Sequence, residues 1–326
     1  MGEPNRIRPH FPAPPLFPGL ICLGLVQNTL SPTNLALPPV QPSSRLQPIV
    51  DHAVLSGLQQ FAAQNLQREQ IAMTLVDLRD PAHLESAGFR GGERIYPASV
   101  IKMFYLVAVH RWLEDGRLSD TEELRRALRD MVVDSGNEAT GYIVDLVTDT
   151  TSGPELSPAE LEVWHEKRNA VNRYFASLGF QNINVNRKTW NDGPYGREQQ
   201  SVNVSQPHHR NWLTTDATAR LLSEIVTGRA VTPERSRQML ELHARNPFDP
   251  ASGGQAREYT GAALSPGAKL WSKAGWTSET RHDAAYVELP SGERFVLVTF
   301  TVGHTKEKGI IPAVARAVIA GLCGTK

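Results

Sequence analysis

The stretch YPASVIKMFYLV, residues 96–107, decides how the rest of the chain is interpreted. Its apolar residues continue beyond it and predict a helix over residues 99–115 that ends at Gly116. Residues three apart on a helix share a face, so Lys102 would place its amine beside the Ser99 hydroxyl. A serine needs a base within hydrogen-bond reach, and a lysine in apolar surroundings has a pKa low enough to be one. The alternative is a capping serine followed by a surface lysine, which the apolar residues after Lys102 disfavour.

A second short motif, SGN at residues 135–137, is expected at the junction of two helices. The Ser135 hydroxyl could pass a proton to a leaving nitrogen. The Asn137 side chain could hold a substrate amide, because it carries both a donor and an acceptor. The same three residues also suit a turn in which Ser135 or Asn137 simply caps the next helix, so both interpretations stay open at this point.

A third motif, KAG at residues 273–275, is expected on a strand. Lys273 supplies a cation, and Gly275 lets a substrate backbone approach closely. A charged edge strand is the alternative, because lysine is common there. The order of the three motifs along the chain, each in a matching secondary-structure context, favours the catalytic interpretation.

Hydrophobic periodicity predicts strands near both ends of the chain and helices between them. The expected strands are residues 71–78, 93–97, 270–275, 284–289 and 294–302. The expected helices are residues 49–66, 99–115, 137–147, 157–178, 214–226, 232–243 and 311–322, with one more opened by a capping box at Ser119 and Glu122. This order predicts an α+β fold, with an antiparallel sheet built from both chain ends and a separate all-α lobe. The polar stretch 181–212 is long for a connection, which is typical of functional loops.

The first 48 residues hold 11 of the 23 prolines and are expected to be a leader outside the folded domain, which would span residues 49–326. Residues 16–26 form an apolar run that follows two arginines and has the size of the hydrophobic part of a secretory signal. Pro18 and the lack of a clean small-residue cleavage site fit a signal less well. An export signal and an ordinary leader therefore both stay open.

The composition excludes several classes of protein. Lysine plus arginine and aspartate plus glutamate both number 34, and this zero net charge argues against a nucleic-acid binder. Two cysteines, Cys22 and Cys323, exclude a disulfide scaffold and a cysteine-rich zinc module. No apolar run approaches the ~20 residues of a membrane-spanning helix. The pair His208 and His209 suits solvated loop residues better than a metal site, so we expect no metal and no cofactor.

Taken together, the motifs resemble those of the serine β-lactamase and penicillin-binding-protein superfamily, and most of all its class A β-lactamases. The resemblance covers roughly residues 49–323 and includes the segments 96–102, 133–140, 213–219 and 271–287. It implies the β-lactamase/transpeptidase-like fold and an acyl-serine mechanism.

The resemblance assigns a role to each motif residue. Ser99 would be the acylated nucleophile, and Lys102 its general base or proton shuttle. Ser135 would give a proton to the leaving nitrogen. Asn137 would bind the substrate's side-chain amide, and Lys273 would attract its carboxylate.

Three more positions follow from the same resemblance. The backbone amides of Ser99 and Trp276, the residue after Gly275, would form the oxyanion hole. Arg281 looks like a second carboxylate-binding cation, although a solvated charge at a strand end is an equal alternative.

The chain departs from the class A pattern in ways that bear on turnover. Gly136 stands where an aspartate is usual, and Ala274 where a threonine or serine is usual. The glutamate signature of the omega loop is absent from residues 186–192. Glu198, with Arg197 beside it, is the surviving candidate for the base that activates the deacylating water, and the alternative is an exposed loop carboxylate.

Three functions are therefore open. The first is a serine hydrolase that opens β-lactams. The second is a D-alanyl-D-alanine peptidase or esterase that releases β-lactams slowly, and the third is a non-catalytic domain that binds penicillin or cell-wall fragments. Each predicts a small β-lactam or peptidoglycan peptide as the partner, and we expect a monomer. Such substrates would place the protein in the periplasm or outside the cell.

Overall fold

A seven-stranded sheet forms the centre of the fold in the computed structural model, which describes residues 40–204 and 210–324. The expected signal segment, Cys22 and the His208 and His209 pair lie outside these residues. The spatial order of the strands is β1-β3-β2-β7-β6-β5-β4. Their bounds are β1 (Gln41–Pro42), β2 (Ile71–Asp77), β3 (Glu85–Phe89), β4 (Ala244–Arg245), β5 (Lys269–Trp276), β6 (Thr280–Glu288) and β7 (Arg294–Val302).

Strands from the N-terminal and C-terminal parts of the chain pair in the middle of this sheet. β7 pairs antiparallel with β2 on one side and with β6 on the other, so that Ile71 lies opposite Thr301. β-branched and large apolar residues are frequent in β2 and β7, and every residue of β2 is buried. The short β1 is parallel to β3. The predicted α+β fold, with an antiparallel sheet made from both chain ends and a helical lobe, is confirmed.

Helices cover both faces of the sheet. Their bounds in the described chain are α1 (Gln47–Gln60), α2 (Lys102–Glu114), α3 (Glu122–Val132), α4 (Asn137–Thr148), α5 (Pro158–Arg168), α6 (Ala170–Ser177), α7 (Gly196–Val204), α8 (Thr215–Val226), α9 (Pro233–His243), α10 (Gly254–Arg257) and α11 (Ile310–Gly324). α1 and α11 pack together over one face, around an apolar core that includes Leu75 and Val314. On the other face lie α8 and a helical lobe with α2 at its centre. Within the described ranges, none of the helices has the length and apolarity required to cross a bilayer.

The strand that follows β2 is not where the sequence pattern predicts it. Residues 93–97 form no strand, and Ile95 makes only a single bridge, to Leu213. The strand is instead β3, which precedes them and pairs with β2. β3 has the sequence ESAGF, whose small residues carry little local strand preference, so its pairing with β2 decides its conformation.

The folded part also begins earlier than residue 49. β1 pairs with β3, and the Leu46 side chain is fully buried in the core under α1. Two of the prolines assigned to the leader stand at positions that tolerate proline. Pro42 is on an edge strand, and Pro48 is in the first turn of α1.

Helix boundaries in the helical lobe follow the capping residues. Thr121, not Ser119, caps α3, because its side chain accepts a hydrogen bond from the Leu124 amide. Ser157 and Glu160 form the predicted capping box at the start of α5. The single helix expected over residues 157–178 is split at Asn169 into α5 and α6.

A buried cluster of charges fixes the long polar loop to the helical lobe. The loop contains α7, which the sequence pattern does not predict. Glu198 of α7 pairs with Arg168 of α5 at 2.5 Å, and both side chains are almost completely buried. Lys188, earlier in the loop, pairs with Asp145 of α4 at 2.6 Å and lies 3.7 Å from Glu198. Ser152 Oγ donates to Glu198 and accepts from Lys188.

We predict that Glu198→Ala lowers the free energy of unfolding by about 3–5 kcal/mol, because it leaves the Arg168 guanidinium buried without its closest anion. Urea denaturation followed by circular dichroism measures this change. Glu241→Ala is the matched control, since Glu241 pairs with Arg237 on an exposed helix surface and should change stability little. Equal stability of the two variants would contradict a structural role for the Glu198–Arg168 pair.

Candidate active site

The three sequence motifs meet where β5, α2 and the start of α4 come together. Ser99 is half-buried in a 3-10 turn, Ala98–Ile101, that runs directly into α2. Ala98 has a φ of 46°, in the left-handed region, which is a strained conformation for a residue with a Cβ. This strained residue immediately precedes the predicted nucleophile.

Gly275 allows the turn to lie directly against β5. A Cβ at this position would stand 2.8 Å from both Pro97 O and Ser99 N, closer than non-bonded atoms approach. The amide of Ser99 therefore lies beside the strand that continues into Trp276. This placement brings together the two residues whose amides were predicted to form the oxyanion hole.

A histidine outside the three motifs holds the segment that leads into the Ser99 turn. His282 of β6 lies opposite Gly275, fully buried and with its ring against Phe300. Its Nε2 donates to Tyr96 O at 2.9 Å, and its Nδ1 accepts from the Thr301 amide at 3.2 Å. Burial lowers its pKa to about 4, so the imidazole is neutral near pH 7 and can fill both roles.

Lys102 is completely buried at the first turn of α2. Its Nζ donates to Ser135 O at 2.6 Å and to Asn137 Oδ1 at 2.9 Å, and lies 3.3 Å from Ser135 Oγ. Within the described residues, no hydrogen bond joins this amine to Ser99 Oγ. Desolvation by burial lowers the pKa of Lys102 to about 7, so near neutral pH a large share of the amine is unprotonated.

Ser135 lies between two lysines. It adopts a φ of 60°, in the left-handed region. Lys273 Nζ donates to Ser135 Oγ at 2.9 Å from the β5 side, and Lys102 approaches from α2. Burial, together with the charge of the nearby Lys102, holds the pKa of Lys273 well below its ordinary value. Two buried amines around one hydroxyl disfavour the state in which both are charged, and the hydroxyl offers a path for a proton between them.

Asn137 connects this cluster to the long polar loop. Its Oδ1 accepts from Lys102, so the side-chain amide has a defined orientation. Its Nδ2 donates to Trp190 O at 3.3 Å and to Asn191 Oδ1 at 2.8 Å. Trp190 and Asn191 lie in the polar loop, and no spacing in the sequence relates them to the SGN motif.

Gln255 of α10 is a second member of the cluster that sequence reasoning missed. Its Oε1 accepts from Lys273 Nζ at 2.7 Å, and its Nε2 donates to Val133 O at 2.7 Å. It therefore ties the strand that carries the third motif to the segment that carries the second. A single glutamine in a polar segment has no sequence pattern that would reveal this role.

The two departures from the class A motif pattern lie in closely packed surroundings. A Cβ on Gly136 would stand 3.3 Å from Asp130 O, so the backbone is tight around this position. Ala274 alternates with Lys273 along β5 and packs on the opposite face, against Tyr259 and Ile311. Asp283 lies opposite Ala274, where burial raises its pKa to about 6.

Arg281 lies beside the cluster in contact with a carboxylate of its own chain. Its Nη2 donates to Glu258 Oε2 at 3.2 Å, and its guanidinium stacks 4.0 Å from the centre of the Tyr259 ring. The Arg281 side chain is mostly buried, unlike a solvated charge at a strand end. Trp276, opposite Arg281 in the register, has a half-exposed side chain.

Glu198 is not brought to this cluster. Its carboxylate is held by Arg168 and Ser152 in the helical lobe. In the described chain, no hydrogen bond or ion pair connects it to Ser99, Lys102 or Ser135. Its surroundings give no support to the prediction that it activates a deacylating water. Over the same residues, no group of three or more histidine, cysteine or acidic side chains is arranged to hold a metal ion.

Solved structures with the same fold are found at low sequence identity. A β-lactamase from Sphaerobacter thermophilus has a TM-score of 0.62 and 19% identity, covering 85% of this chain and 98% of that one. A β-lactamase from Chitinophaga pinensis has a TM-score of 0.61 and 17% identity, covering 84% and 99%. PBP-A has a TM-score of 0.58 and 18% identity, covering 88% and 99%. A search of curated proteins found no match.

The sequence itself matches a family model. The model describes the beta-lactamase enzyme family and matches residues 56–322, which is most of the chain and contains all three motifs. The match agrees with the fold and with the motif cluster around Ser99. This protein therefore belongs to the beta-lactamase enzyme family, within the serine β-lactamase and penicillin-binding-protein superfamily.

Proposed function

We propose that this protein is a serine hydrolase in which Ser99 attacks the amide carbonyl of a β-lactam-type substrate and forms an acyl-enzyme. The observation that carries the proposal is the buried Lys102 amine, held between Ser135 and Asn137 with a pKa of about 7. An amine that is largely neutral near pH 7, one helical turn from a serine, can accept its proton. The distance between Ser99 Oγ and Lys102 would shorten when substrate binds, as catalytic hydrogen bonds often do.

In the acylation step the Ser99 hydroxyl proton passes to Lys102 Nζ while Oγ forms a bond with the carbonyl carbon. The negative charge that develops on the carbonyl oxygen is stabilised by the amides of Ser99 and Trp276. The carbon–nitrogen bond then breaks, and the nitrogen receives a proton from Lys102 through the Ser135 hydroxyl. The contacts of Ser135 with both Lys102 and Lys273 support this route.

Substrate recognition is proposed for the residues around the cluster. Asn137 would bind the amide of the acyl side chain, and the Gly275 and Trp276 backbone would run alongside the substrate. Lys273 and Arg281 would supply positive charge at the other end of the cleft. A β-lactam or peptidoglycan substrate implies a site of action in the periplasm or outside the cell.

The release step distinguishes two versions of this function. Rapid hydrolysis of the acyl-serine needs a base for water, and Glu198 is engaged by Arg168 in the helical lobe. The described contacts of Lys102, Lys273 and Asn137 include no carboxylate. We therefore favour slow release, as in a D-alanyl-D-alanine peptidase or esterase, over rapid β-lactam turnover.

One of the similar structures supports an acyl-enzyme that is released slowly. A single-substitution variant of PBP-A has been solved as an acyl-enzyme complex with penicillin G, at a TM-score of 0.60 and 19% identity to this chain. Membership of the beta-lactamase enzyme family is the observation that favours the alternative, rapid turnover.

Intact-protein mass spectrometry with excess benzylpenicillin tests the proposal. We predict that the wild type gains the mass of one penicillin, that the adduct persists after free drug is removed, and that Ser99→Ala gains nothing. Glu198→Gln should show the same adduct lifetime as the wild type, because Glu198 is outside the cluster. An adduct seen only in Glu198→Gln, with drug consumed by the wild type, would instead identify a β-lactamase with Glu198 as its base. No adduct at all would favour a non-catalytic binding domain.

The rate of acylation should also depend on pH. Below the pKa of Lys102, near 7, the amine is protonated and cannot accept the serine proton, so the rate falls about tenfold for each pH unit. Stopped-flow acylation between pH 5.5 and 8.5 should show a single rise with its midpoint near pH 7. Lys102→Arg should lose acylation throughout, since guanidinium stays protonated, whereas Lys269→Arg on the exposed part of β5 should keep the wild-type profile. A rate independent of pH in the wild type would contradict the role of Lys102.

A further inference from the structure

A cavity continues from the Lys273 side of the cluster. It has a volume of about 780 Å³, and its lining includes Gln255, Trp276 and Thr277. The charged residues of its lining are Asp134, Arg245, Glu258, Arg281 and Lys308. Gln255 bonds to Lys273, and Trp276 follows Gly275 on β5. A substrate that lies along β5 with its carbonyl at Ser99 would extend into this cavity.

The cations near the cavity are already engaged by groups of the protein. Lys273 uses its ammonium toward Ser135 Oγ, Gln255 Oε1 and Ala274 O. Arg245 lines the cavity, but its Nη1 and Nη2 donate to backbone carbonyls, among them Val132 O at 3.0 Å, and its Nε is buried with no hydrogen-bond partner among the described residues. The ammonium of Lys273 and the two terminal nitrogens of Arg245 are therefore already hydrogen-bonded within the protein.

The two remaining cations share one carboxylate. Glu258 Oε2 accepts from Arg281 Nη2 at 3.2 Å and lies 2.9 Å from Lys308 Nζ. The hydrogen bond with Lys308, and then that with Arg281, lowers the pKa of Glu258, so its carboxylate is charged near neutral pH. Asp134 is a second carboxylate on the cavity wall.

We propose that Glu258 is a specificity-determining residue that occupies the anion-binding end of the cleft with its own carboxylate. The site would then favour acyl donors that carry an ester or amide at that end over donors that carry a free carboxylate. Of the two slow-release versions, this preference fits an esterase better than a D-alanyl-D-alanine peptidase, whose substrate ends in a free carboxylate. The inference rests on the proposed acyl-serine function and names the substrate class of that site.

Electrostatics gives the reason for this preference. A ligand carboxylate beside Arg281 must either displace Glu258 or lie next to it, and like charges placed together are unfavourable. The Glu258 side chain is 39% exposed, so it can turn outward. Because it can move, the site's preference for an ester or amide over a free carboxylate is graded instead of absolute. A neutral ester meets no such competition and can accept a hydrogen bond from the same cations.

The test compares benzylpenicillin with its methyl ester, which differ at one group: a charged carboxylate in the first is a neutral, slightly larger ester in the second. Mass spectrometry follows the acylation of Ser99 by each compound. The quantity measured is the acylation rate with the acid divided by the acylation rate with the ester. We expect Glu258→Gln to raise this ratio about tenfold, which corresponds to about 1.4 kcal/mol. Glu258→Ala should raise it in the same direction, and the ratio is independent of how much protein is folded.

Glu241→Gln is the matched control, because it removes the same charge from an exposed ion pair on α9, outside the cavity. It should leave the acid-to-ester ratio at the wild-type value. An unchanged ratio in both Glu258 variants, with Ser99 still acylated by both compounds, would overturn this inference but not the proposed function. A rise of equal size in Glu241→Gln would also overturn it, since net charge alone would then explain the effect. No adduct with either compound would overturn the proposed function and, with it, this inference.

Discussion

The burial of the Lys102 amine is the constraint on which the rest of the site depends. An ammonium group removed from water is costly unless a carboxylate compensates it, and the described contacts of Lys102 are to Ser135 and Gly136 carbonyl oxygens, the Ser135 hydroxyl and the Asn137 amide oxygen. The pKa therefore falls to about 7, and the amine becomes a base at the pH where the protein is expected to work. The apolar residues that follow Lys102 along α2 are what make this burial possible.

The surrounding fold holds that amine in place with contacts from separate parts of the chain. Ala98, which precedes Ser99, and Ser135 both adopt φ values in the left-handed region, which is strained for residues with a Cβ. Gly275 lets β5 approach the Ser99 amide, and His282 fixes the turn from the next strand. The cluster around Lys102, Ser135 and Lys273 thus contains residues from both the sheet and the helical lobe. No single segment of the chain could form it.

The sequence was sufficient for the parts of the site that depend on local pattern. The order of the three motifs predicted that Ser135 lies with Lys102 and Lys273, and its contacts with both lysines agree with this prediction. The spacing of Ser99 and Lys102 places them one helical turn apart, although no hydrogen bond joins their side chains in the described residues. The sequence was not sufficient for Gln255 and Glu258, whose roles come from contacts across the cleft with no repeating spacing. It misplaced β3, because the sequence ESAGF has little intrinsic preference for a strand. It nominated Glu198 as the surviving carboxylate of the polar loop, although the partner that fixes its position is Arg168 in another helix.

The most direct test of this account is a measurement of the pKa of Lys102 itself. The protein would be prepared with lysine labelled at the ε-carbon. The signal of Lys102 would be assigned as the one that is absent from the Lys102→Arg spectrum. Its chemical shift would then be followed by NMR as the pH is changed. Burial of the amine predicts a midpoint near 7 for Lys102, well below the ordinary lysine pKa. A midpoint near the ordinary lysine value of about 10.4 would contradict it, because the amine would then be protonated at neutral pH and could not activate Ser99.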